Sequence, residues 1–172
     1  MIPLTALRFA LLAAFAAAAT ACLAATATVE FVKPDSFTDS GRARHYVDRD
    51  SNLENLRKHL IAQAAKMLPA DETLAIFVTD VDLAGAFEPW QTYSREVRIV
   101  KDIYPPKIDL NFRLTRADGT LVKEGTRSMR DTGFLTTPGL RYSGDNLRYE
   151  KILLDDWMEK EFKDQLAASA SK

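Results

Sequence analysis

The spacing of apolar side chains changes several times along the chain, and each change predicts an element. Leu53, Leu56, Leu60, Ala64 and Met67, joined by Ile61 and Leu68, recur at the interval of one helical face. Ser51-Asn52-Leu53-Glu54 has the form of a capping box, Ser51 accepting from a backbone N–H and Glu54 reaching back. The pattern therefore predicts a helix that opens near Ser51 and ends at Pro69. Arg57, Lys58 and Lys66 occupy its other face, so it covers a neighbour and is not buried all round. Upstream, residues 28–33 predict a short strand, closed by the turn chemistry of Pro34 to Gly41, and residues 42–50 read as a polar loop.

Strand spacing dominates the middle of the chain. Leu74, Ile76 and Val78 alternate with Ala75, Phe77 and Thr79, and two fairly apolar faces predict a central strand over 73–81. Residues 94–101 alternate again. Ile108, Leu110, Phe112 and Leu114 interleave with Lys107, Asp109, Asn111 and Arg113, the pattern of an antiparallel strand with one wet face. Asp118-Gly119 predicts a hairpin turn and a return strand over 120–130, more polar and nearer an edge. After a Gly-rich connection over 131–145, Asp145 or Asn146 can cap a last helix. Its stripe is Leu147, Ile152, Leu153, Leu154, Trp157, Met158, Phe162 and Leu166, with a fraying tail over 167–172. The order predicts an α+β fold: a mainly antiparallel sheet of four to five strands with two helices packed on one face, a two-layer sandwich.

The N-terminal segment is of a different kind. Met1 to Arg8 carries only positive charge, Phe9 to Ala19 is an unbroken Ala-rich apolar run, and small residues follow, the three parts of a bacterial-type signal peptide. The run is shorter than the roughly 20 strongly apolar residues of a permanent membrane span. Two processing sites compete. Ala25-Thr26-Ala27 suits ordinary cleavage, giving a signal peptide over 1–27 and a single periplasmic domain over 28–172. Ala19-Thr20-Ala21-Cys22 resembles a lipobox, with Ala19 where Leu is usual, and would make Cys22 the lipidated first residue of an outer-membrane lipoprotein. Cys22 is the only cysteine, so no intrachain disulfide forms and the core alone holds the domain.

Composition narrows the partners. The chain has 23 basic and 24 acidic side chains, net −1, with neither the basic excess of a nucleic-acid binder nor an acidic tail. Membrane contact is expected only through the signal peptide or a lipid on Cys22, and an envelope protein is the expected partner.

Chemistry-bearing groups are sparse. On a strand Asp80 and Asp82 share a face, where with Glu88 or Asp131 they would suit a hard cation, the basis for a metal-dependent hydrolase reading. The plainer alternative is a solvated strand end that caps a turn. The two histidines are His45, in the polar loop, and His59, at a helix boundary position, and no Gly-x-Ser-x-Gly elbow surrounds any serine. No catalytic residue is assigned, no cofactor is implied, and a non-enzymatic binding or accessory role is favoured over an enzyme. Phe87, Trp90, Tyr93 and Tyr104 gather near one loop and form a candidate binding surface; Trp90 folded back over the sheet end is the alternative.

Several segments together carry a family likeness: Val29-Glu30-Phe31-Val32-Lys33-Pro34 with Phe37-Thr38-Asp39, Thr79-Asp80-Val81-Asp82-Leu83-Ala84-Gly85, Arg98 to Asp102, Pro106-Lys107-Ile108, and Tyr149-Glu150-Lys151 with Trp157. On these the chain resembles a secreted proteobacterial family known as domain of unknown function 3016, over nearly the whole mature chain. The family usually has Glu after the Ala-Gly pair, where this chain has Ala86. The resemblance implies an exported domain and supplies no catalytic residues.

Overall fold

The computed structural model describes residues 25–41, 46–88, 97–136 and 142–170. The main sheet has the order β1-β2-β5-β6, from Thr26–Phe31, Glu72–Asp82, Lys107–Arg116 and Leu121–Arg130. β3 (Ala86–Phe87) and β4 (Arg98–Ile99) form a separate two-stranded sheet. Three helices complete the described residues: α1 (Tyr46–Met67), α2 (Arg148–Glu161) and α3 (Lys163–Ala170). The fold is mixed α+β.

The sheet is mixed rather than antiparallel throughout, because β1 runs parallel to β2 while β2/β5 and β5/β6 are antiparallel. The cause is the connection. Parallel neighbours need a long crossover, and the 22-residue α1 supplies it and lies against β1. That helix starts at Tyr46, which corrects the expected loop at 46–50, residues 42–45 lying outside the described ones, and places Ser51 and Glu54 inside the helix, not at its cap. Arg49 fixes the early turn by pairing with Asp50 and with Asp35 in the 3-10 turn Pro34–Ser36. Gly41 permits the close approach, since a Cβ there would stand 2.9 Å from the Arg49 amide nitrogen.

The expected strand over 94–101 survives in the described residues only as Arg98–Ile99. The last helix is divided: α2 stops before Phe162 and α3 follows. The N-cap of α2 is Leu147, with no side-chain cap, which corrects the expected cap at Asp145 or Asn146; Asp145 accepts from the Leu147 amide at 2.8 Å in the turn before the helix. The hairpin at Asp118-Gly119 forms with Gly119 at φ 83°.

The core joins Leu56, Leu60 and Ala64 of α1 to Leu74, Ile76 and Val78 of β2, Leu110, Phe112 and Leu114 of β5, and Leu154, Trp157 and Met158 of α2. Phe112, Trp157 and Phe162 meet edge-on with ring centroids 5.6–5.8 Å apart, each contact adding about 1 kcal/mol beyond area burial. At the sheet edge Gly125 leaves room for the Arg127 guanidinium over Phe112, and Arg127 and Lys123 both reach Glu161.

A register shift between Val78 and Asp80 decides where the acids go. Strict alternation after Leu74, Ile76 and Val78 would send Asp80 into the core. The bulge turns Val81 inward, fully buried, and leaves Asp80 and Asp82 on the outer face.

Candidate functional site

Beyond the bulge β2 runs into Leu83-Ala84-Gly85, which several distant residues hold in place. The Asp39 amide donates to Val81 O at 2.8 Å, and the Leu83 amide donates to Asp39 O at 2.9 Å. Gly85 has φ 82°, and a Cβ on it would lie 2.7 Å from Ile99 O, so the position suits glycine on two counts. Arg98 is the keystone. Its Nη1 donates to Gly85 O at 2.8 Å, its Nη2 reaches both Asp39 carboxylate oxygens at 2.8 and 2.9 Å, and its guanidinium lies 4.7 Å from the Phe87 ring centre.

Glu150 closes the arrangement from α2. Its side chain is buried, its Oε1 accepts from the Ala84 amide at 2.7 Å, and its Oε2 has no hydrogen-bond partner. Burial pushes its pKa up, against the lowering effect of the Ala84 N–H, its own backbone N–H and the Arg98 charge. Glu150 lines a cleft of about 1100 Å³. One wall is the start of α1 (Asp48, Ser51, Asn52, Asn55), another the Leu83 to Phe87 turn with Val97 to Val100, and the third residues 144–149. Val97 and Val100 give this side an exposed apolar lip.

The acids singled out in the sequence divide. Asp80 accepts from the Thr38 amide at 2.7 Å and the Thr38 hydroxyl at 2.8 Å, with Lys107 Nζ 3.7 Å away. Asp82 is held above its usual range, first by burial and then by the Asp39 and Asp80 charges. Glu88 has other partners: it is buried and accepts from Lys101 Nζ at 2.6 Å and the Tyr104 hydroxyl at 3.2 Å. Asp131 accepts from the Gly133 amide. Among the described residues no group of three or more His, Cys, Asp or Glu is arranged to hold a metal ion.

Of the four aromatics, Phe87 lines the cleft and Tyr104 is half-buried against Glu88. Trp90 and Tyr93 lie outside the described residues, as do His45 and Cys22. Sequence reasoning missed two features. Glu150 sits at the inward helical position between Leu147 and Leu154, where an acid inside an apolar stripe was the available signal. His59 belongs to a second buried network: its Nε2 is 2.7 Å from Asp155 Oδ1, and Tyr142 donates to Asp155 Oδ2 at 2.6 Å. Gln63 in turn donates to the Tyr142 hydroxyl. Through Tyr142 this network ties the segment that leads into the cleft wall to both long helices.

The cleft thus gathers Leu83-Ala84-Gly85, Arg98, and Tyr149-Glu150, residues scattered over half the chain. No curated protein matches the sequence. The family described as "Protein of unknown function (DUF3016)" matches residues 25–160, a span that contains every residue of this arrangement, and the chain belongs to that family.

Proposed function

We propose that the chain is an exported envelope protein that works by binding, and that its working surface is the cleft at the end of β2. The observation that carries this reading is Glu150: a buried acid in the cleft wall with one carboxylate oxygen unpartnered. A buried oxygen left without a hydrogen bond costs roughly 1–3 kcal/mol, and a ligand donor would relieve that cost. Both long helices feed the core on the sheet's buried side, which supports a two-layer arrangement with the cleft at one end of it. The hydrolase reading loses its third ligand, since Glu88 is engaged by Lys101 and Tyr104 and Asp80 by Thr38.

For an exported chain, the position of β1 bears on which processing site is used. Ala25 is buried, and Thr26 and Ala27 pair with Thr73 and Leu74, so cleavage after Ala27 would remove part of a formed strand. This supports processing upstream, with Cys22 the first residue and a lipid tether on it. Thr26 lies beside the start of β2, and the cleft lies beyond its far end. The two are separated by an 11-residue strand, roughly 30 Å. A tether at the N-terminus therefore leaves the cleft open to the periplasm.

Native mass spectrometry of the protein isolated from envelopes tests the reading. The expected result is a small adduct on the wild type that Glu150→Ala loses while keeping its circular dichroism. An identical adduct on both proteins, or none on the wild type after incubation with low-molecular-weight envelope extract, would contradict it.

A further inference from the structure

The composition of the cleft says what kind of molecule it would take, and this step rests on the binding reading above. Two of its charged groups, Arg98 and Asp145, sit in ion pairs, and Arg148 is held by a neutral hydroxyl. Arg98 is engaged by Asp39, and Arg148 Nη2 donates to the Tyr149 hydroxyl at 2.8 Å. Asp145 accepts from the Leu147 amide and pairs with Lys151. A ligand cation approaching Glu150 would meet the field of Arg98, which already acts on that carboxyl. A ligand anion would meet the carboxyl groups of Asp48, Asp145 and Glu150 along the same lining. Neutral polar groups complete the rim: Ser51, Asn55 and Asn146 are exposed there. Amides and hydroxyls donate and accept at once, so they complement groups that do the same. Val97 and Val100 add exposed apolar surface on which C–H faces can rest.

We propose that the cleft binds a neutral polyhydroxylated ligand, a sugar or short sugar chain, its hydroxyls meeting Asn55 and Asn146 on the rim, with one donating to Glu150 Oε2 once a shift of that side chain uncovers the buried oxygen. Its volume of about 1100 Å³ lies just above the usual range of small-molecule sites, which favours an oligosaccharide over a single ring.

Calorimetric titration of the mature protein tests this with neutral di- and trisaccharides of glucose, galactose and N-acetylglucosamine, and with inorganic phosphate and putrescine as charged probes. The expected result is saturable binding of at least one saccharide and no heat from phosphate or putrescine. Glu150→Ala should weaken that binding about tenfold or more, the loss of one buried hydrogen bond. Glu150→Gln keeps an acceptor for the Ala84 amide, so it should fold as the wild type does, but it puts an NH2 where Oε2 would accept and should weaken binding about as much as Glu150→Ala. Asn146→Ala changes an exposed residue, so it folds whether or not Glu150→Ala does, and should weaken binding about threefold or more. Binding of phosphate or putrescine without any saccharide would overturn the ligand class and leave the cleft reading standing. Saccharide binding unchanged in Asn146→Ala and in a folded Glu150→Ala would place the site elsewhere. Silence towards every probe would sink both.

Discussion

Replacing Arg98 by Ala should cost about 2–4 kcal/mol of folding stability. The guanidinium makes a two-oxygen contact with Asp39 at 2.8 and 2.9 Å and a third bond to Gly85 O at 2.8 Å, and it covers the Phe87 ring. Both partners of the ion pair are about four-fifths buried, with side-chain exposures of 20% and 22%. Hydrogen bonds to charged groups contribute about 1.5–3 kcal/mol each and do not add fully. Freeing the long side chain returns up to about 2 kcal/mol of rotamer entropy. Leaving a largely buried Asp39 without its partner dominates the balance and sets the net loss. Urea unfolding followed by fluorescence gives the number. Amide hydrogen exchange at Leu83 and Gly85 shows where the loss falls, because Arg98 pins that turn. Arg98→Lys should recover less than half, since an ammonium cannot span Asp39 and Gly85 together. A loss below about 0.5 kcal/mol, the range of an ordinary surface substitution, or exchange unchanged at both amides, would refute the keystone role.

Three further outcomes follow from the same structure. Gly85→Ala and Gly119→Ala both place a side chain at φ near 82°, but only the first meets a neighbour, Ile99 O at 2.7 Å. The second should lose about 1 kcal/mol and the first clearly more, and equal losses in urea unfolding would show that the turn yields to Ile99. Glu161 lies below the usual carboxylate range: burial pushes it up, but hydrogen bonds from Arg127 and Lys123 outweigh that. A depressed folded pKa gives stability that is complete above the unfolded value of about 4.3 and disappears as pH falls through the folded value. Wild type should therefore exceed Glu161→Gln by about 1–2 kcal/mol at pH 7, after discounting for the exposed cations, and the two should converge in acid; a gap independent of pH would contradict the assignment. Tyr142→Phe removes the hydroxyl between Asp155 and Gln63 and should cost about 1–2 kcal/mol, read from thermal unfolding, with an unchanged midpoint excluding a structural role for the network.

Much of the frame was legible because single elements declare their own period. Leu53 to Met67 reads as a helix and Ile108 to Leu114 as a strand whatever surrounds them. Pairing direction is different: β1 is parallel to β2 because a helix lies between them, and the likeness of β1 to any short edge strand hides that. The bulge at Thr79 was hidden for a related reason. Alternation assigned Asp80 to the face of Leu74, and only the partner strand fixes where the register slips. Among the site residues, Asp80 and Asp82 attracted attention by their spacing, yet Asp80 serves Thr38 as a turn anchor. Glu150 was passed over in a stripe of Leu and Trp. An acid at an inward helical position is costly unless something receives it, and that cost was the readable sign. Its receiver, the Ala84 amide, lies 66 positions away and is invisible to local reasoning.

The most direct test of the account is the titration of the Glu150 carboxyl carbon by NMR, in the free protein and with a saturating saccharide. The account predicts a free-state midpoint above that of ordinary glutamates, because burial raises it, and a clear change in shift and midpoint when a hydroxyl reaches Oε2. A Glu150 that titrates with the exposed glutamates, or one that does not respond to any ligand the protein binds, would contradict it.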